Sequence, residues 1–233
     1  MQRTMQRWVT SGEARLSRRR MVGSAVAGGG ALALLAAMPV LSQAQDTTPA
    51  AGLGSPGRTV NKAASPVAGF GSDVDVLNYA LTLEHLEYAF YRDGVDLYDF
   101  GTDGFGFAIN DQLAAIRDHE AAHVQTLTDV ITQLGGTPVA EGAYAFDDAY
   151  ASDSAFLKTA RALENTGVQA YDGAGQYLSD PALLTAAGTI VAVEARHASY
   201  LNLINDATPF PGAFEEPLTS AQVLKIAGPF LAS

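Results

Sequence analysis

Glu194-Ala195-Arg196-His197 lies inside an apolar run, with Ile190-Val191-Ala192-Val193 before it and Ala198 to Ile204 after it. On an α-helix, positions i and i+3 share a face, so Glu194 and His197 point the same way. Apolar neighbours on both sides turn that way inward. A carboxylate and an imidazole in a helical core need partners, because an unpaired buried charge is expensive. A metal ion is one partner that satisfies both. Taken alone, a core histidine beside a solvated glutamate is the simpler reading.

The spacing recurs, however, in Glu120-Ala121-Ala122-His123. The chain has four histidines, and two of them stand three residues after a glutamate. Each copy follows, in its own half of the chain, a helical segment with a Leu-Glu pair and a tyrosine seven residues after the Glu. These are Leu83-Glu84 with Tyr91, and Leu163-Glu164 with Tyr171. Seven residues is about two helical turns, so each Tyr shares the face of its Glu. The order Glu, Glu-x-x-His, Glu, Glu-x-x-His is an internal repeat of two helical hairpins. Glu84, Glu120, His123, Glu164, Glu194 and His197 together form the ligand set of a di-metal carboxylate site on four helices.

In this pattern the chain resembles the ferritin-like superfamily, and within it the exported ferritin-like group called desiccation-related proteins. Segments similar to Leu83-Glu84-His85-Leu86-Glu87, Gly135-Gly136-Thr137-Pro138 and Glu194-Ala195-Arg196-His197-Ala198 recur in that group. The resemblance covers about residues 73 to 205. It implies an all-α, four-helix bundle binding two iron or manganese ions. It also implies roles: Glu120 and Glu194 bridging or chelating, Glu84 and Glu164 terminal, and His123 and His197 each on one metal. Glu87 is the alternative to Glu84 on the first helix, as a ligand or as a surface charge. Tyr91 and Tyr171 are placed to hydrogen-bond ligand carboxylates or to pack in the core. Asp118 and His119, beside the second motif, read as outer partners of the site or as a partly exposed pair.

Residues 1–44 read as a targeting segment. Ser17-Arg18-Arg19-Arg20-Met21-Val22 resembles a twin-arginine export signal. A Gly- and Ala-rich apolar run follows to Leu41, and Ser42-Gln43-Ala44 offers small residues for cleavage. The alternative is a single membrane anchor, since the run is about 20 residues, near a spanning length. Cleavage would leave no membrane attachment and a periplasmic or extracellular protein. Residues 45–72, rich in Pro, Gly, Ala and Ser, read as a flexible tether.

The whole chain carries 14 Lys+Arg against 25 Asp+Glu. Six of the arginines and one glutamate precede residue 45, leaving 8 basic and 24 acidic residues, a net charge of −16. Such a domain repels nucleic acid and anionic membranes and attracts cations. The absence of cysteine removes disulfides, thiolate metal sites and a Cys nucleophile. Hard or borderline metals with oxygen and imidazole ligands remain.

The bundle is expected over residues 73–207. Helix one starts at Ser72 or Asp73 and runs to Arg92; helix two, capped by Asn110, runs to Leu134. Helix three spans Asp153 to Leu178, and helix four follows Ser179-Asp180-Pro181 to Asp206. The longest link, residues 135–152, stands between helices two and three. That is the one crossover a ferritin-like topology requires. Gly167, Gly173 and Gly175 inside helix three cost stability and signal close packing or distortion. Residues 208–233 form an extension with a short helix at Thr219–Ala227, placed either to cover an end of the bundle or to meet a partner.

Two functions follow. One is an exported dinuclear redox centre that handles dioxygen or peroxide, ferroxidase-like or manganese-catalase-like, with homo-oligomer formation left open. The other is a non-enzymatic stress-related bundle with a structural or vestigial metal site.

Overall fold

The computed structural model describes residues 69–232; the segment read as a targeting signal and most of the expected tether lie outside them. The described chain forms helices α1 (Asp73–Gly94), α2 (Ile109–Gln133), α3 (Asp153–Gly175), α4 (Pro181–Ile204) and α5 (Ser220–Ala227), then a 3-10 turn at Gly228–Phe230. Among the described residues, extended pairing is limited to two isolated bridges, Thr102 with Ala108 and Tyr144 with Leu231. None of these helices is long and apolar enough to cross a membrane.

Side chains set most helix starts. The hydroxyls of Ser72 and Ser152 accept from the amides of Asp75 and Ala155, and Asp180 accepts from Ala182 ahead of Pro181. Thr219 and Gln222 close a reciprocal capping box on α5. The second helix departs from expectation: it begins at Ile109 with Ala108 at the cap position and no side-chain cap bond. Asn110 instead stitches the preceding loop together, accepting from Phe100 N and donating to Val95 O and Tyr98 O. Asn110 thereby satisfies three backbone groups of that loop. The third helix also ends earlier than expected, at Gly175. Glycines at 173 and 175 weaken its last turn, which closes through Tyr177 N to Ala174 O and Leu178 N to Gly175 O.

At the end of α2, Gly135 takes φ +78°, with Gly136 N bonded to Ile131 O and Gly135 N to Thr132 O. This is a Schellman closure, and its left-handed residue is why glycine stands there. The link that follows runs along the whole of α1. Asn78 donates to Thr137 O and accepts from Val139 N, His85 Nε2 meets Val139 O, and Arg92 pairs with Glu141. Asn78, His85 and Arg92 are seven apart, one stripe down α1. The link then buries Phe146 and half-buries Tyr150 against Phe90 and Phe156. It thus delivers α3 to the opposite end from where α2 stopped, making α2 and α3 parallel. His85 belongs to this strapping and not to the site.

The C-terminal helix covers the bundle. Its Val223 and Ala227 are buried in the same cluster as Phe90, Tyr91, Phe156 and Leu163, while Leu224 and Ile226 face outward.

Candidate metal centre

Four helices each place an acid on the bundle axis. Glu84, Glu120, Glu164 and Glu194 are fully buried, and His123 and His197 nearly so. Donor atoms of Glu84, Glu120, His123 and Glu194 lie within 4.8 Å of one another, as do those of Glu120, Glu164, Glu194 and His197. Glu120 and Glu194 belong to both groups. All six expected residues therefore converge.

The convergence is through one nitrogen of each imidazole. His123 Nδ1 is 3.1 Å from Glu84 Oε2, 3.0 Å from Glu120 Oε2 and 3.1 Å from Glu194 Oε1. His197 Nδ1 is 3.0 Å from both Glu120 Oε1 and Glu164 Oε2. One N–H cannot serve three carboxylates, and both oxygens of Glu194 and Oε1 of Glu120 are buried without a hydrogen-bond donor. Orphaned buried acceptors are costly. Oxygen and imidazole atoms crowded around a shared space, with no thiolate, match the donor chemistry of iron or manganese. The residues present fit a pair of such ions.

The protein-only electrostatics express the same crowding. Burial, then the charges of Glu120 and Glu164, pushes the Glu194 carboxyl far up. Burial and Glu164 lift Glu120 to about 7. Burial alone would lower the imidazoles, but hydrogen bonds with the surrounding glutamates outweigh it and raise His123 to about 12 and His197 to about 10. Near neutral pH the metal-free cluster therefore holds protons on both imidazoles. Metal ligands must shed them, so loading is expected to release at least the two histidine protons per chain. Affinity should rise with pH and collapse on acidification. Titration calorimetry at pH 7 in buffers of different ionisation enthalpy checks this; a heat independent of the buffer would refute it.

Tyr91 and Tyr171 do touch the carboxylates, but each reaches the other half of the repeat. Tyr91 donates to Glu164 at 2.7 Å, and Tyr171 donates to Glu84. A tyrosine two turns along a helix is about 10 Å from its own Glu. Because α1 and α3 run antiparallel, as the contacts of Asp73 with Ser179 and of Gly94 with Phe156 require, that distance brings it level with the facing helix.

Two neighbours alter the sequence reading. Glu87 is not a surface charge. It is 4 % exposed and lies over Gly167, where a Cβ would stand 3.0 Å from Glu87 Oε1 and 3.3 Å from Glu194 Oε2. Burial, then Glu194 and Glu164, drives its carboxyl well upward, favouring the neutral acid. Asp118 faces out and pairs with Arg117. His119 turns the other way, and its Nδ1 lies 2.9 Å from His197 Nε2 with the ring planes 9° apart. When His197 presents an unprotonated Nδ1 to the cluster, its Nε2–H donates to His119. Burial and the charges of His197 and His123 hold His119 low, which suits an acceptor. No sequence spacing distinguishes this histidine; only the approach of α2 to α4 does. His119→Ala is expected to weaken metal binding about 10–100-fold, the usual cost of losing such an outer partner. Competition with a chromophoric chelator measures it, and unchanged affinity would make the contact incidental.

A ferritin-like domain family matches residues 72–206, more than half of the chain. The chain belongs to the ferritin-like domain family. No curated protein matches it. The match begins at the Ser72 cap of α1 and stops at Asp206, whose φ of +57° closes α4. The ferritin-like domain thus holds all six buried ligand candidates, and α5 is an addition beyond it.

Proposed function

We propose that this is an exported protein whose ferritin-like domain binds two iron or manganese ions and uses them in redox chemistry on dioxygen or peroxide. The observation that carries the proposal is the pair of donor groups sharing Glu120 and Glu194, with carboxylate oxygens that no protein donor satisfies. Glu84 and His123 would hold one ion, Glu164 and His197 the other, and the shared carboxylates both. When bound, such a pair supplies one-electron steps at two adjacent centres.

The chain's own residues prepare that site. Tyr91 and Tyr171 occupy one oxygen of Glu164 and of Glu84, fixing which oxygen is left to face inward. Packed Phe90, Phe156 and Leu163 exclude water from one side, which strengthens every charge interaction inside. His119, exposed on the other side of His197, offers a place for a proton at Nδ1 near solvent. Export is supported by the Arg18-Arg19-Arg20 segment and the apolar run behind it; a route for proteins that fold first suits metal loaded before transfer.

Elemental mass spectrometry of protein purified without chelator tests the reading. About two iron or manganese ions per chain are expected, in the proportion that dinuclear carboxylate bundles hold, and none in a Glu120→Ala/His197→Ala double variant. Absence of stoichiometric metal from the native protein would favour the structural bundle instead.

A further inference from the structure

One end of the bundle contains an apolar pocket of about 70 Å³, lined by all four long helices and partly open to solvent. Its place relative to the acids is set by helix arithmetic. Ala80, Leu127 and Ile190 line it, and each stands four residues from Glu84, His123 or Glu194, about 6 Å along its helix. Tyr171 lines it from α3, seven residues beyond Glu164. The antiparallel packing puts all four on the same side of the cluster. Tyr171, whose hydroxyl is bonded to Glu84, forms the partition between cavity and carboxylates.

The wall offers little to a polar guest. Thr126 and Thr189 donate to the carbonyls of Ala122 and Ala186 in their own helices, and Tyr171 donates to Glu84. Among the hydroxyls lining it, that of Tyr79 alone is buried without a partner. Apolar lining of this kind holds water poorly, and a sealed cavity of about 150 Å³ with similar lining stays dry and admits benzene or xenon. Half that volume suits a diatomic gas. Half-buried Ala186 and Ala187 form its outer wall on α4.

We propose that this cavity binds dioxygen and passes it to the carboxylate cluster beside Tyr171, in preference to peroxide. The proposal deepens the redox reading above and rests on it for the reaction, but not for the binding. Hydrogen peroxide would surrender its hydrogen bonds to water on entering, and burying hydroxyls without partners in apolar surroundings is unfavourable. Dioxygen has none to lose. With ferrous iron as the probe metal, two ions each give up one electron. Dioxygen takes both with two protons and leaves as hydrogen peroxide. With peroxide as oxidant, the O–O bond breaks on taking two electrons and two protons, giving two waters.

The test begins with crystals of the whole chain pressurised with xenon, with or without metal. A xenon site against Ala80, Leu127 and Ile190 is expected; an empty cavity overturns the binding site whatever the metal content. Stopped-flow oxidation of the anaerobic, ferrous-loaded protein then separates the oxidants. Xenon pressure on the native protein, and Ala187→Phe, should slow oxidation by dioxygen about 10-fold, as blocking an access step does, and leave oxidation by peroxide unchanged. Equal slowing of both oxidants, or of neither, overturns the selective route. The xenon competition needs no variant, so a poorly folding Ala187→Phe would not rescue the proposal.

Discussion

Glu194→Gln is expected to abolish tight metal binding and, at the same time, to raise the melting temperature of the metal-free protein. The two effects share one cause. Glu194 is fully buried with neither oxygen hydrogen-bonded, and its carboxyl is pushed well up by burial, Glu120 and Glu164. Without metal its ionised form is destabilised and its oxygens lack donors; with metal it is common to both donor groups. Losing an outer partner already costs about 10–100-fold in affinity, so losing this residue should cost more than about 100-fold. The amide keeps the shape, carries no charge and can donate to a neighbouring carboxylate.

Relief of one buried unsatisfied group is worth about 1–3 kcal/mol. For a domain of this size that is roughly 2–12 °C. The sign with pH is definite. A carboxyl whose folded pKa lies above its unfolded value contributes stability below the unfolded value and loses it as pH rises through the folded one. The advantage of the glutamine should therefore grow as pH rises from about 4.5, the ordinary Glu value. Differential scanning calorimetry of both proteins, metal-free, across that range decides it. A glutamine variant that melts lower than the native protein at pH 7 would show that the cluster is not strained.

The second large effect lies outside the site. Gly173→Ala would place a Cβ 1.8 Å from the carbonyl oxygen of Leu218. That contact is backbone and cannot swing aside, and Leu218 is held there by its own amide on Gln169 O at 3.0 Å. Overpacking of this sort costs about 1–3 kcal/mol. It should lift the segment leading into α5 and expose Val223 and Ala227. The expected results are a lower melting temperature and faster proteolysis between residues 208 and 219. Gly188→Ala is the control. Nothing lies within 4 Å of that Cβ, and position 188 is a helix interior, so the same change should stabilise by about 0.5–1 kcal/mol. Equal effects at the two positions would mean that helix propensity, and not the docked tail, governs α3.

Sequence spacing was sufficient for the four long helices and for the six convergent residues. Periodicity of 3.6, caps at Ser72 and Asp180, and a repeated Glu-x-x-His are local properties, and a helix turns local spacing directly into a shared face. The need for a long link between the second and third helices was likewise legible from its length. Which residues hold that link was not. Asn78, His85 and Arg92 form a stripe on one helix, yet nothing local says that residues 137, 139 and 141 will lie along it.

The same limit explains why the sequence left alternatives open at the site's neighbours. Tyr91 and Tyr171 bond Glu164 and Glu84 across the repeat, partners that the sequence left unassigned because reach across an antiparallel pair depends on the offset between helices. Glu87 and Glu84 look alike in sequence, three residues apart on a helix that buries more than one face. Only the gap left by Gly167 on α3 shows where Glu87 goes. His119 sits one position off its helix's inward face, and the approach of α4 alone turns it into the partner of His197. Sequence by itself determined that the repeated glutamates and the two Glu-x-x-His histidines share inward faces, since that follows from backbone periodicity. The tertiary structure decided which of them meet, because contacts between helices depend on register and spacing that no single helix encodes.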